Sequence, residues 1–379
     1  MRKILILTGR YLPGHKDGGP LRTMINVTDA LGDDYEFYIV ALDRDHGDTE
    51  PYPDIKYGEW NRVGKANVRY VKPNGFTGDL IRELSKDADL IYTCGFYDDY
   101  GYKTLLLNKS GKLNGKPVVV ASMGSFSKGA LAHKAIKKKV FISLLKVLGA
   151  FKNIVWSVTS ELEAKDLKRV IGENAKYIVA EDLPRTNVPG REFPLKESEV
   201  LKVAFLSRIV PHKGLMTAIR ALRGINRQTE FNIYGPIGDN AYWDSCKEEI
   251  DKLPKNITAN YYGDVPSEKV QQKLQENDLF LFPTRSENYG HVVFEALSVG
   301  CVPIISDQTP WSFLQEINAG FIVGVEDTEG YGAAIDRFAD MSVNEKTVMA
   351  KNGVAVAKEK VEISKKNTGY NVIFNLTEV

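Results

Sequence analysis

The chain has little cysteine, little histidine and no surplus of either charge. Its three cysteines, Cys94, Cys246 and Cys301, are odd in number and far apart, with no CxxC spacing. That excludes a disulfide framework and a thiolate metal site, and reads as reduced, buried thiols of a cytoplasmic protein. The five histidines (His15, His46, His133, His212 and His291) make no HxxxH pair, so no metal is expected. Lys plus Arg is 50 and Asp plus Glu is 49, a formal net charge of +1. A nucleic-acid binder normally shows a clear basic surplus, so nucleic acid is not an expected partner. Long apolar runs are missing too; none approaches the roughly eighteen residues of a membrane span. The start, MRKILIL, sets basic residues before apolar ones. Its run Ile4 to Leu7 is too short for the core of a signal peptide and reads as a first buried strand.

What is present is a regular rhythm. Over 379 residues, with 43% hydrophobic and 26% charged, short apolar runs alternate with helical patterns. KILIL (3–7), EFYIVAL (36–42), ADLIYT (88–93), KPVVVAS (116–122) and IVWSVTS (154–160) come first. The stretch 182–199, with three prolines and a glycine, breaks the rhythm as a linker does. It then restarts with LKVAFLS (201–207), TEFNIYG (229–235), NITANYYG (256–263), DLFLFP (278–283), CVPIIS (301–306) and GFIVG (320–324). Strands alternating with helices predict βαβ units and parallel sheets covered on both faces. The expectation is an α/β chain of two Rossmann-like, doubly wound domains, 1–185 and 200–360, joined by a linker at 186–199. Such domains face each other across a cleft at the carboxyl ends of their strands, where ligands bind.

Three stretches place chemistry at such strand ends. After the first strand, Gly18 and Gly19 precede a helix start. A glycine pair there bares backbone N–H groups and adds the positive end of the helix dipole, an anion cradle. It serves equally as a turn needing positive φ. The spacing is not GxGxxG, so a nicotinamide fingerprint is absent. After the strand at 201–207, FLSRIVPHKG carries Arg208 and Lys213. Two cations beside a helix start suit a diphosphate, the guanidinium as fork and the ammonium as point charge; alone they read as surface cations. After LFLF, the stretch TRSENYGHVVFEALSVG holds Glu287 in a loop and Glu295 in a helix. A loop carboxylate can accept from sugar hydroxyls, and one on the helix from a ribose diol. Between them, the N–H groups from Asn288 through Tyr289 and Gly290 to His291 could face a phosphate.

FLSRIVPHKG together with FPTRSENYGHVVFEALSVGCVPIISD resembles the retaining family 4 glycosyltransferases, which have the GT-B fold. Glu287 and Glu295 match the E-x7-E motif of that family, and Arg208 and Lys213 match its diphosphate-gripping pair. Gly18 and Gly19 match its glycine pair after the first strand. The stretches 122–139 and SDQTPW (306–311) resemble the branch that assembles bacterial surface polysaccharides. The tail, about 361–379, resembles the final helix that crosses back to the first domain. The resemblance implies transfer of a sugar, with retention, from a UDP- or GDP-sugar to a saccharide or lipid-linked acceptor. By resemblance, Glu287 contacts the donor sugar, Glu295 the ribose, and amides of Tyr289 to His291 the sugar and β-phosphate. Arg208 and Lys213 stabilise the departing diphosphate, with no metal or cofactor. Where relatives carry a His or Arg near the reacting sugar, this chain has Met123 or Gly124. The resemblance leaves open a nucleotide-sugar epimerase of the same fold, or a non-catalytic nucleotide- or glycan-binding subunit.

Three further stretches invite function. Asp43 and Asp45 form a DxD of the kind that holds a metal in another transferase fold, a short pattern that also arises by chance. YDDYGY (97–102) mixes carboxylates and aromatic rings, suited to a sugar acceptor or to an ordinary polar loop. The segment 131–153 sets Lys134, Lys137, Lys138 and Lys139 beside Ile136, Phe141, Leu144, Leu145 and Leu148. It reads as an interfacial helix at an anionic membrane, on the inner face of the plasma membrane, or as packed helices with a solvated lysine face.

Overall fold

A computed structural model describes residues 1–16, 18–132, 134–366 and 368–378. The chain forms two compact units, Met1–Thr186 with Ile363–Val379, and Asn187–Glu362.

The first unit holds strands β1 (Arg2–Leu7), β2 (Tyr35–Leu42), β3 (Asn61–Val63), β4 (Ala66–Val71), β5 (Leu90–Cys94), β6 (Val118–Ala121), β7 (Val155–Val158) and β8 (Tyr177–Val179). Among the described residues they make one sheet in the order β3-β4-β2-β1-β5-β6-β7-β8. Every pairing is parallel except β3 with β4. Leu5 lies opposite Tyr38 on one side and Ile91 on the other. Ile4 to Leu7, Leu90 to Tyr92 and Val118 to Val120 are all buried, because helices cover both faces of the sheet. The sequence pattern missed β3, β4 and β8. In β4 only Ala66, Val68 and Tyr70 are buried, so it alternates instead of forming a continuous apolar run, and β8 is a strand of only three residues, half-exposed throughout.

The second unit holds β9 (Leu201–Leu206), β10 (Thr229–Tyr234), β11 (Ile257–Tyr261), β12 (Leu279–Phe282), β13 (Val302–Ser306) and β14 (Phe321–Val323). Their order is β11-β10-β9-β12-β13-β14, all parallel. The chain winds outward from β9 in one direction and from β12 in the other. The loops leaving these two adjacent strands therefore diverge at a topological switch point, where open α/β sheets take ligands. In the first unit the same relation holds for the loops after β1 and β5.

The proline-rich segment expected as a linker is strapped to the second unit. The Arg191 guanidinium donates to the carbonyls of Gln275 (2.7 Å), Asn277 (3.3 Å) and Gly300 (3.3 Å). The Gly190 N–H donates to Ser298 O at 2.9 Å, and Phe193 and Leu195 lie on the core. The tail differs from a single helix over 361–379. The helix Val343–Ser364 ends first, and a shorter one, Gly369–Phe374, begins at a capping box between Thr368 and Asn371. Asn367 and Val379 lie outside the described residues. Tyr370, Ile373 and Phe374 are buried in the first unit, with the Phe374 ring 5.3 Å from Tyr35. Among the described residues no helix is long and apolar enough to cross a membrane.

Asp182, just beyond β8, accepts a hydrogen bond from Thr23 Oγ1 at 2.9 Å. Burial pushes its pKa up to about 7, against the Thr23 bond and with the charge of Glu163 adding to the rise. The folded chain thus keeps a proton that the unfolded chain releases near pH 4. This contribution to stability is full below pH ~4 and is lost as pH rises to about 7. Asp182→Asn is expected to gain on the wild type as pH climbs through that window. Thermal midpoints of both proteins at a series of pH values check it; a constant difference would remove the protonated Asp182 from the account.

Candidate functional site

The loop after β9 runs through Arg208 to a tight turn, Pro211–Lys213, and then to the helix Leu215–Ala221. The loop after the neighbouring β12 runs to the helix His291–Ser298. Gly214 draws the two together. Its φ is +81°, and a Cβ there would lie 2.0 Å from the Pro283 carbonyl oxygen, so only glycine permits the approach. The His212 carbonyl then accepts from the Arg285 N–H (2.8 Å) and from Thr284 Oγ1 (3.3 Å). The result is an ion pair between Lys213 Nζ and the Glu287 carboxylate, 74 positions apart in sequence. Their side chains are 20% and 16% exposed, sheltered yet reachable from solvent. Arg208 is exposed on the same loop as Lys213. Partial burial, then the charges of Lys213 and Arg208, hold the His212 imidazole below its ordinary pKa. The strand end is thus electropositive, as an anion site requires.

Residues 284–291 are shaped from below. Ser306 Oγ donates to the Thr284 carbonyl, and the Glu287 N–H donates to the Gln308 carbonyl at 3.2 Å. The Trp311 indole N–H donates to the Tyr289 carbonyl. The Tyr289 ring lies edge-on to Trp311 (centroids 5.6 Å apart) and 4.7 Å from His291. Gly290, at φ +78°, caps the helix. Glu295 is 4% exposed inside that helix, whereas Asn288 is exposed in the loop. The two glutamates are therefore unlike: Glu287 is paired and accessible, Glu295 is buried. Spacing did not point to the supporting roles of His212, Gly214, Gln308 and Trp311, because each acts across loops distant in sequence.

Gly18 has φ +70° and caps the helix Gly19–Leu31, so the turn and the helix N-terminus coincide there. Asp45 is 3% exposed and accepts from the backbone N–H groups of His15 (2.7 Å), Lys16 (3.1 Å) and His46 (2.8 Å). Burial acts to raise its pKa, but these amides prevail and lower it. Asp43 is engaged by Arg44 Nε at 2.7 Å and by the Tyr57 hydroxyl at 2.7 Å. The two carboxylates of the DxD thus organise loops, Asp45 the one that leads to Gly18. No group of three or more His, Cys, Asp or Glu side chains able to hold a metal occurs among the described residues. Met123 and Gly124 follow β6, both at positive φ. Beside them the buried Glu163 accepts from Ser122 Oγ (2.7 Å), the Gly124 N–H (2.5 Å) and the Thr159 N–H (2.7 Å). The S-x-x-E spacing of Ser160 and Glu163 signals that helix start, though not this contact. In YDDYGY, Tyr100 is buried and donates to the Cys94 carbonyl at 2.7 Å, so part of that stretch is core.

Residues 191–355 match the family Glycosyl transferases group 1. The group 1 match lies wholly within the second unit and contains the paired loops after β9 and β12. Over 314 residues, the chain is 23% identical to the GDP-mannose:cellobiosyl-diphosphopolyprenol alpha-mannosyltransferase of Xanthomonas campestris, covering 79% of this chain and 78% of that one. It is 31% identical over 112 residues to a glycogen synthase of Thermosipho melanesiensis, a match spanning 29% of this chain and only 22% of that protein. The fold is that of the Anabaena protein HepE solved in complex with UDP-glucose, with a TM-score of 0.70 at 16% identity over 99% of this chain and 100% of that one. Two Rossmann-like parallel-sheet domains with GT-B glycosyltransferases as structural neighbours are thus established.

Proposed function

We propose that this chain is a glycosyltransferase that moves a sugar, with retention, from a nucleoside-diphosphate sugar to a saccharide or lipid-linked saccharide. The observation that carries the reading is the meeting of Lys213 and Glu287 at the switch point between β9 and β12, with Arg208 on the same loop as Lys213. In this reading Arg208 and Lys213 neutralise the diphosphate. Glu287 accepts from hydroxyls of the donor sugar, and Glu295 from the ribose. The bond from the anomeric carbon to the diphosphate oxygen breaks while the acceptor hydroxyl oxygen bonds to that carbon on the same face. The departing diphosphate takes the acceptor's proton, so no protein nucleophile is needed, and Met123 and Gly124 are no obstacle. Charge building on the diphosphate is met by the two cations and the loop amides, without a metal. The names of the relatives support UDP- or GDP-sugars as donors, and that of the Xanthomonas relative a diphosphopolyprenol-linked saccharide as acceptor.

Incubation with UDP-, GDP- and ADP-sugars in excess EDTA, without acceptor and followed by phosphorus and proton NMR, tests this. Slow release of nucleoside diphosphate and free sugar from one donor is expected. An intact nucleotide carrying an epimerised sugar would assign an epimerase instead, and release abolished by EDTA would overturn the metal-free reading.

A further inference from the structure

Charge in this chain is balanced overall but strongly segregated. Between Tyr100 and Ser160 there are eleven lysines and no Asp, Glu or Arg, so against a whole-chain charge of +1 the remainder is net −10. Within this stretch the helix Ala135–Val147 packs on the first unit with one face only. Ile142 and Leu145 are buried, and Phe141 sits against Phe96 (6.3 Å) and Tyr97 (5.8 Å). The opposite face is apolar as well. Ile136 is 81% exposed, Val140 63%, Leu144 55% and Val147 85%, with Leu148 exposed just beyond. Spacings of four, four and three place these side chains in one stripe along the helix. Elsewhere the exposed large apolar residues are scattered along the chain, an ordinary feature of surfaces. The inner face already satisfies the fold, so this second stripe is not needed for folding.

The lysines decide what covers it. Lys137 and Lys139 are exposed beside the stripe, and Lys134 is exposed at the helix start. Lys138 differs from the solvated lysine expected from sequence. It turns inward, 5.2 Å from the centre of the Tyr97 ring, and donates to the Ala130 carbonyl at 2.7 Å. A second copy of the chain would bring another strongly cationic segment against this one. A nucleic acid would use the lysines and leave the stripe in water. An anionic bilayer surface satisfies both features, with side chains in the acyl boundary and ammonium groups among phosphates.

We propose that the helix Ala135–Val147 docks this protein on an anionic membrane, inserting Ile136, Val140, Leu144 and Val147 between headgroups that Lys134, Lys137 and Lys139 engage. This surface belongs to the first unit alone and does not depend on the reading of the transferase site.

Co-sedimentation of the full chain with vesicles of phosphatidylglycerol and phosphatidylcholine, and of phosphatidylcholine alone, tests it. Wild type should bind the anionic vesicles at low salt and the neutral ones poorly. Each lysine at an anionic surface is worth about fivefold in partition, so Lys137→Gln with Lys139→Gln should lower binding about 30-fold. The triple variant Ile136→Ser, Val140→Ser, Val147→Ser should lose at least as much while keeping the wild-type thermal midpoint, since all three side chains are exposed. Failure of wild type to bind anionic vesicles at low salt would overturn the proposal. So would unchanged binding by the serine variant, which would reduce the contact to charge alone. A wild-type dimer in solution that the serine variant converts to monomer would assign the stripe to a second copy.

Discussion

Replacement of Lys213 or of Arg208 by alanine is expected to lower transfer at least a hundredfold. In the proposed mechanism each cation meets charge that grows on the departing diphosphate, and a donor aimed at developing charge is worth about 3 kcal/mol. The loss should fall on kcat/KM for the nucleotide sugar identified by NMR. The two variants should differ in stability. Arg208 is exposed, so its loss should leave the thermal midpoint unchanged. Lys213 is sheltered with Glu287, and its loss leaves that carboxylate without its ion pair, so a small fall is expected. Lys213→Arg should recover little, because a planar fork does not reproduce a compact ammonium in this corner between two loops. Near-wild-type transfer by both alanine variants would remove the clamp from the mechanism.

The two glutamates are expected to fail differently. Glu287→Gln should cut kcat by one to two orders of magnitude, since charge-assisted hydrogen bonds are worth about 1.5–3 kcal/mol and this carboxylate also holds Lys213 in place. Glu295→Gln should act mainly on KM for the donor. A ribose contact has the same strength in the ground state and the transition state, and such uniform binding leaves kcat alone. Steady-state kinetics on both variants separates the roles. A fall in kcat for Glu295→Gln, with KM unchanged, would place that residue at the reacting sugar.

The central strands were legible in the sequence because a strand buried on both faces must be a continuous apolar run, as Ile4 to Leu7 and Leu279 to Phe282 are. The edge strands β3 and β8 obey no such rule and went unread, as did β4, which alternates buried with half-buried residues. Arg208, Lys213, Glu287 and Glu295 were legible as chemistry at strand ends. That Lys213 meets Glu287 was not, because the meeting depends on Gly214 lying against Pro283, an approach no spacing encodes. Composition made 186–199 read as a linker, since prolines and glycine break a pattern whether or not a residue such as Arg191 then binds the chain down. In the segment 131–153, one set of apolar residues served two purposes. Phe141 and Leu145 point into the unit, and Ile136, Leu144 and Leu148 point out. A periodicity read without the fold cannot tell these two faces apart.

The central claim is that the loops after β9 and β12 hold a nucleoside diphosphate through Arg208, Lys213 and Glu295. Calorimetric titration of UDP and GDP into wild type and Glu295→Gln, in excess EDTA, tests it most directly. One of the two nucleotides should bind wild type with a favourable enthalpy, and at least tenfold more weakly to the variant. Equal binding to both proteins, or no binding of either nucleotide until a divalent metal is supplied, would contradict it.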